Sequence, residues 1–150
     1  IIQLIENVIE MLEISATKKN IKLVVDTSLK QSFKVNADKE KIEHVLTNLI
    51  ENSIKYGKES GTTEIVVQEV LENKLLIRVT DNGIGVDNNN LERLFERFYR
   101  VDQTGNRSTG GSGLGLAIVK HIIDAHEEKI FIESELGVGS EFSFTLDQSN

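Results

Sequence analysis

Gly110-Gly111-Ser112-Gly113-Leu114-Gly115-Leu116 runs directly into Ala117-Ile118-Val119-Lys120-His121-Ile122-Ile123. Residues that leave the backbone bare therefore open into an apolar stretch with helical spacing. Such a junction aims several backbone N–H groups and the positive end of a helix dipole at one point, which suits an anion and a phosphate above all. A glycine inside a helix costs about 1 kcal/mol relative to alanine, so Gly113 and Gly115 need a reason to stand there. Two familiar phosphate loops are excluded. No Gly-Lys-Ser/Thr follows, as a Walker A loop requires, and the third glycine of Gly-x-Gly-x-x-Gly is missing.

Other residues with chemical potential flank this run. His44, Asn48, Asn52 and Lys55 are spaced four, four and three apart. On a helix they form one stripe, roughly opposite the apolar face. Two asparagines on that stripe suggest a polar site, because asparagine is a mediocre residue for a helix interior; a solvated face is the plain alternative. Asp81-Asn82-Gly83-Ile84-Gly85-Val86 follows a strand pattern. A carboxylate there can accept from an exocyclic amine such as that of adenine, although an ordinary Asp-Asn-Gly turn has the same sequence. Gly137-Val138-Gly139-Ser140 alone reads as a hairpin turn. In Leu94-Phe95-Glu96-Arg97-Phe98-Tyr99-Arg100, Phe95 and Phe98 read as packing residues. Arg97 and Arg100 are either phosphate donors or solvated charges.

The elements that must carry these residues follow from periodicity. Ile2, Ile5, Val8, Ile9 and Leu12 mark a helix that the polar stretch 15–20 ends. Strands are expected over 21–25 and 32–35. Asp38 is an N-cap for a helix whose buried face is Ile42, Val45, Leu46, Leu49 and Ile50, ending at Tyr56-Gly57. Residues 64–71 and 74–80 alternate as two strands around a turn at Glu72-Asn73. A loop over 81–90 precedes a short helix over 91–98. Segment 100–112 is polar, weakly patterned and expected to be mobile. The glycine-opened helix runs to about Ala125, followed by strands over 130–133 and 141–146. Irregular alternation with hairpin-like pairs predicts an α+β, two-layer α/β sandwich, with helices on one face of a mixed, mostly antiparallel sheet.

The 150 residues suffice for one domain with its own core. A net charge of −7 argues against nonspecific nucleic-acid binding, and the absence of cysteine excludes disulfides and thiolate metal sites. The chain begins at Ile1 rather than Met and is read as a piece of a longer protein.

Taken in order, five segments resemble the N, G1, F, G2 and G3 boxes of sensor histidine kinases. They are Asn48-Leu49-Ile50-Glu51-Asn52-Ser53-Ile54-Lys55-Tyr56, Asp81-Asn82-Gly83-Ile84-Gly85, Phe95-Glu96-Arg97-Phe98, Gly111-Ser112-Gly113-Leu114-Gly115-Leu116 and Gly137-Val138-Gly139-Ser140. Those boxes belong to the catalytic ATP-binding domain of the GHKL superfamily. The resemblance implies the Bergerat fold for 1–150 as a single domain, with ATP and Mg²⁺ as its ligands. Asn52 would hold Mg²⁺ by its amide oxygen, an ion that otherwise takes its ligands from waters and phosphates. Lys55 would contact phosphate from the same stripe as Asn48, and Arg97 and Arg100 would complete the catalytic set. Tyr56 would pack near adenine and Asp81 would read its amino group, with close backbone approach at Gly83 and Gly85. Segment 100–112 would be an ATP lid, and Gly111, Gly113, Leu114, Gly115 and Gly139 would complete the nucleotide-binding set.

The resemblance also implies that the γ-phosphoryl passes to a histidine on a dimerisation and phospho-acceptor domain absent from these residues, and then to the receiver domain of a response regulator. The parent protein would be a homodimer, cytoplasmic in this part, with an inner-membrane anchor elsewhere as one expectation; no nucleic acid is expected as a partner. His126-Glu127-Glu128 departs from the family's usual His-Gly-Gly, and neither His44, His121 nor His126 lies in a phospho-acceptor sequence. Two alternatives are kept: an ATP-hydrolysing GHKL machine, against which count the compact length and Asn48 standing where hydrolytic members carry a glutamate, and a non-catalytic nucleotide-binding regulator, against which counts the complete set of boxes.

Overall fold

The structure, a computed structural model, describes residues 1–26, 33–71, 73–99 and 114–149. In chain order the elements are α1 (Ile2–Lys18), β1 (Lys22–Val25), α2 (Lys39–Lys55), β2 (Thr62–Leu71), β3 (Lys74–Asp81), α3 (Asn88–Leu91), α4 (Gly115–Ala125), β4 (Ile130–Glu135) and β5 (Gly139–Asp147). The sheet has five strands in the order β1-β2-β3-β5-β4. Among the described residues β1 and β2 run parallel, and the other strand pairs are antiparallel. Leu75, Ile77 and Val79 of β3, Ile65 and Val67 of β2, and Phe142, Phe144 and Leu146 of β5 point into one core with α1, α2 and α4. The expected two-layer α+β architecture is what forms.

This topology brings distant residues to one end of the sheet. β1-α2-β2 is a crossover, so α2 runs against the strands and its C-terminus lies where β2 begins. β3 returns beside β2, which sets Asp81 opposite Thr63. β5 starts beside the end of β3, which sets Ser140 opposite Asp81. The short connection from α4 to β4 leaves the N-terminus of α4 at this same end.

Local signals explain the element ends, and four expectations need correction. The helix α1 continues through the polar stretch to Lys18 because buried Ala16 prolongs the stripe of Ile5, Val8 and Leu12. A strand over 32–35 does not form among the described residues. Val35 makes a single bridge to Gln148, beyond the end of β5, since Asp38 must already cap α2 by accepting from Lys41 N–H at 3.1 Å. The helix expected over 91–98 is instead α3, begun early by the Asp87 cap on Asn89 N–H at 3.0 Å. It continues as turns with i→i−3 bonds, such as Glu96 N–H to Arg93 O at 3.0 Å and Tyr99 N–H to Glu96 O at 3.3 Å. Leu94 and Phe95 anchor those turns, Phe95 standing edge-on to Phe142 with centroids 6.3 Å apart. Phe98 does not pack as expected: it is 69% exposed, at φ +64°.

At the far end of the sheet the departure at 127–128 has structural consequences. Glu127 adopts φ +59° just past the C-terminus of α4. Its N–H bonds Asp124 O at 2.9 Å and the Glu128 N–H bonds Ile123 O at 3.1 Å, which is a Schellman close. The buried Glu128 carboxylate then meets Lys74 at 2.6 Å, and Lys74 also reaches Asp147 at 2.5 Å. His126 Nε2 accepts from Asp38 N–H at 3.1 Å, tying the end of α4 to the start of α2. A left-handed conformation strains a residue with a Cβ by about 1 kcal/mol. Glu127→Gly is therefore expected to raise unfolding stability by about that amount in chemical denaturation.

Candidate functional site

The loops at the convergent end interlock through their backbones. A Cβ on Gly83 would stand 2.2 Å from Tyr56 O, one on Gly85 2.0 Å from Glu135 O, and one on Gly139 2.1 Å from Asp81 O. Real contacts to carbon are never that short, so only glycine permits the three approaches. Their first demand is loop-to-loop packing within the protein itself. Hydrogen bonds complete the join: Ile84 N–H to Tyr56 O at 3.1 Å, and Gly137 N–H to Ile84 O at 2.7 Å.

Asp81 sits at the centre, 8% exposed. Its Oδ1 accepts from Gly83 N–H at 2.9 Å, and a backbone hydrogen bond from Ser140 also reaches the carboxylate. Burial pushes its pKa above the ordinary carboxylate range, and the two backbone donors only partly oppose that. Asn82 Oδ1 meanwhile accepts from Thr62 N–H at 2.9 Å, pinning the loop to the start of β2.

The α2 stripe borders this centre. His44 is exposed, but Asn48 and Asn52 are half-buried, so the stripe is no simple solvated face. Asn48 Nδ2 is buried without a hydrogen-bond partner among the described residues. Its Oδ1 would lie 3.4 Å from a Cβ on Gly115, in the first turn of α4. The α4 helix starts at Leu114 with no side-chain cap, so its N-terminal end adjoins this asparagine. Lys55 Nζ lies 5.4 Å from the centroid of the half-buried Tyr56 ring, a cation–π contact. Asn48, Asn52, Lys55, Tyr56, Asp81, Gly83, Gly85, Leu114, Gly115 and Gly139 thus share one end of the fold. Arg97 is exposed on the turns after α3 and takes no part in the interlock. Arg100, Gly111, Gly113 and the segment 100–112, expected as an ATP lid, lie outside the described residues, apart from which the glycine-run helix begins as expected.

Two hydroxyl pairs were not singled out from the sequence. Ser134 Oγ accepts from Val86 N–H at 2.7 Å, donates to Gly139 O at 3.0 Å and lies 2.7 Å from Ser140 Oγ. It joins the first glycine loop to the third. Thr63, opposite Asp81, donates to Ser53 Oγ at 3.0 Å, and Ser53 donates to Ile50 O at 2.7 Å. Thr63 and Ser134 lie on the inward face of β2 and β4, just outside the strands expected over 64–71 and 130–133, and nothing in the sequence named their partners.

Residues 37–150 match the family of histidine kinase-, DNA gyrase B- and HSP90-like ATPases. This chain belongs to that family. Among sequences, it is 50% identical over 72 residues to the sensor-like histidine kinase SenX3 of Mycolicibacterium smegmatis, across 48% of this chain and 19% of that protein. It is 48% identical over 73 residues to the sensor protein kinase WalK of Staphylococcus saprophyticus, across 49% of this chain and 12% of that protein. The matched stretch is thus a small part of each relative. Among structures, the catalytic domain of histidine kinase ThkA superposes with a TM-score of 0.81 at 28% identity, covering 99% of this chain and 92% of that one. Full-length ShkA in complex with AMPPNP gives 0.83 at 28% identity, covering 98% of this chain and 30% of that one. ThkA in complex with the response regulator protein TrrA gives 0.79 at 27% identity, covering 99% and 40%. The family is one of nucleotide-using ATPase domains, and the five-stranded α+β fold is theirs.

The glycine geometry separates essential from tolerant positions. Gly85→Ala should destabilise the domain by about 3 kcal/mol, because its Cβ has only backbone to strike. Gly137→Ala should cost about 1 kcal/mol, since Gly137 needs only its positive φ and has nothing within 4 Å. Urea denaturation of both variants measures the contrast. Asp81 supplies a pH signature as well. Its folded pKa is raised, so the folded chain keeps that proton to higher pH than the unfolded chain does. Stability of the nucleotide-free chain should therefore fall as pH rises from the unfolded pKa through the folded one. In Asp81→Asn that segment of the pH–stability profile should flatten.

Proposed function

We propose that this chain binds Mg-ATP where its glycine loops meet, and that within a longer sensor kinase it presents the γ-phosphoryl to a histidine. The observation that carries this reading is the convergence on buried Asp81 of a polar α2 stripe whose Asn48 amide is buried and has no hydrogen-bond partner among the described residues. AMPPNP is an ATP analogue, and ShkA is a relative that binds it.

In this reading Asp81, when ionised, accepts from the adenine amino group. Guanine offers a carbonyl oxygen at the same place, and two acceptors repel, which is the source of ATP selectivity. Tyr56 covers the base. Lys55 and Asn48 face the phosphates, joined by Arg97 and Arg100 as charged donors. Asn52 fits Mg²⁺, since that ion needs one protein oxygen when phosphates and waters supply the rest. Mg²⁺ would neutralise charge on the transferring phosphoryl. The nucleotide set also includes Gly83, Gly85, Gly111, Gly113, Leu114, Gly115 and Gly139.

The chain's own work is to position and to neutralise charge, which is most of what phosphoryl transfer needs. The attacking imidazole belongs to a dimerisation and phospho-acceptor domain in another part of the protein. Its nitrogen forms the new P–N bond as the bond from the γ-phosphorus to the bridging oxygen breaks and ADP leaves. A response regulator receives the phosphoryl next, as the ThkA–TrrA complex suggests for relatives. An amide at position 48 cannot take a proton from water, which disfavours an ATP-hydrolysing machine. Among the described residues no helix is long and apolar enough to cross a membrane.

Calorimetric titration tests the site. Asn52→Ala should weaken Mg-dependent ATP binding by about tenfold and leave Mg-free binding nearly unchanged. Asp81→Asn should erase the preference for ATP over GTP. Joined to the full protein's phospho-acceptor helices, the chain should produce acid-labile phosphohistidine. Absence of binding at millimolar ATP would sink the reading, and steady phosphate release without a partner would favour the hydrolase.

A further inference from the structure

Where α2 stops, Ile54, Lys55, Tyr56 and Gly57 present four consecutive carbonyl oxygens. A helix end leaves such oxygens without their usual i→i+4 donors. Tyr56 O is taken by Ile84 N–H of the first glycine loop at 3.1 Å. Lys19 takes the other three, of which Ile54 O also accepts from Gly57 N–H at 3.3 Å. Its Nζ donates to Lys55 O at 2.7 Å, Ile54 O at 3.0 Å and Gly57 O at 3.5 Å. An ammonium carries three protons, and its charge is favourable at the negative end of a helix dipole.

Lys19 is itself held in place. It caps α1, its N–H bonding Ala16 O at 3.1 Å, and its own carbonyl accepts from Ser60 N–H at 3.0 Å. The side chain is half-buried. One cation from α1 thus closes the end of α2 at the turn that carries Lys55 and Tyr56. The same turn meets Gly83, whose missing Cβ lets Tyr56 O come close.

We propose that Lys19 is a positioning residue for the nucleotide site. It acts through the carbonyls of residues 54–57, fixing the last turn of α2 so that Lys55 and Tyr56 face the nucleotide and Tyr56 O keeps hold of Ile84. Removing the ammonium strips Lys55 O and Gly57 O of this donor and leaves Ile54 O with only the Gly57 N–H, so the turn relaxes and the first loop loses its seat. The inference rests on the Mg-ATP reading above.

The test compares Lys19→Met, which removes the charge and keeps an unbranched stem, with Lys19→Arg and with Lys18→Met as an exposed neighbouring control. Mg-ATP is titrated into each chain at a temperature where its unfolding curve shows it fully folded. Lys19→Met should bind about tenfold more weakly, Lys19→Arg should recover most of that loss, and Lys18→Met should match the parent. Amide exchange at Ile84 should accelerate in Lys19→Met relative to Val79 in the core of β3. Parent-like affinity in Lys19→Met, unchanged relative exchange at Ile84, or an arginine variant as weak as the methionine one would overturn the proposal. Should Lys19→Met fail to fold, Lys19→Gln is titrated in its place, and parent-like affinity there overturns it equally. A parent chain that binds no Mg-ATP removes the site reading itself; a parent that binds beside unaltered Lys19→Met removes only the role of Lys19.

Discussion

Backbone meets backbone at the functional end of this fold at distances that leave no room for a Cβ. Gly83 lies under Tyr56 O, Gly85 against Glu135 O and Gly139 against Asp81 O. These contacts lock the end of α2, the end of β3 and the start of β5 into one unit. The rest of the site depends on them. Asp81 is buried because Gly139 lets β5 close over its backbone, and it has donors because Gly83 and Ser140 are thereby brought within reach. The interlock also explains how irregular loops can hold functional side chains in fixed relation: the covering strands and α2 move only together.

That end is not arranged for greatest stability. A carboxylate is kept from water with its pKa raised, and an asparagine amide is buried without a partner among the described residues. Each costs free energy in the empty domain. Both costs would be offset by a ligand that offers an amine to the first and an acceptor to the second. The opposite end of the sheet contrasts with this. There Lys74 bridges Glu128 and Asp147, and His126 joins α4 to α2, although Glu128 Oε2 is itself buried without a partner among the described residues. The difference between the ends is that the buried Glu128 carboxylate is paired with a cation, whereas the buried Asp81 carboxylate has only backbone donors.

Much of this was legible in advance. Period and capping residues located α2 and α4, and alternation located β2 and β3, because each signal is local to the chain. Asn48, Asn52, Lys55 and Asp81 were recognisable by type and spacing. The misreadings share a cause. Ala16 extends α1 because it is buried, and residues 33–35 form no strand beyond the Val35 bridge because the chain turns to cap α2 at Asp38. Phe98 looked like a packing residue by its i, i+3 relation to Phe95, but the turns after α3 are not helical, so the pair does not share a face. Ser134 and Lys19 carried no signal at all, since a hydroxyl or an ammonium reaching backbone atoms leaves no mark in the spacing of residues.

By itself the sequence determined the family and the residue types available for nucleotide chemistry, since five motifs in a set order depend only on position along the chain. Only the tertiary structure decided why the glycines of the first and third loops are required, which carbonyls Lys19 closes and how far Asp81 is withdrawn from water. Those are properties of atoms brought together from distant segments. A sequence records the absence of a Cβ, but not the backbone oxygen that would have struck it.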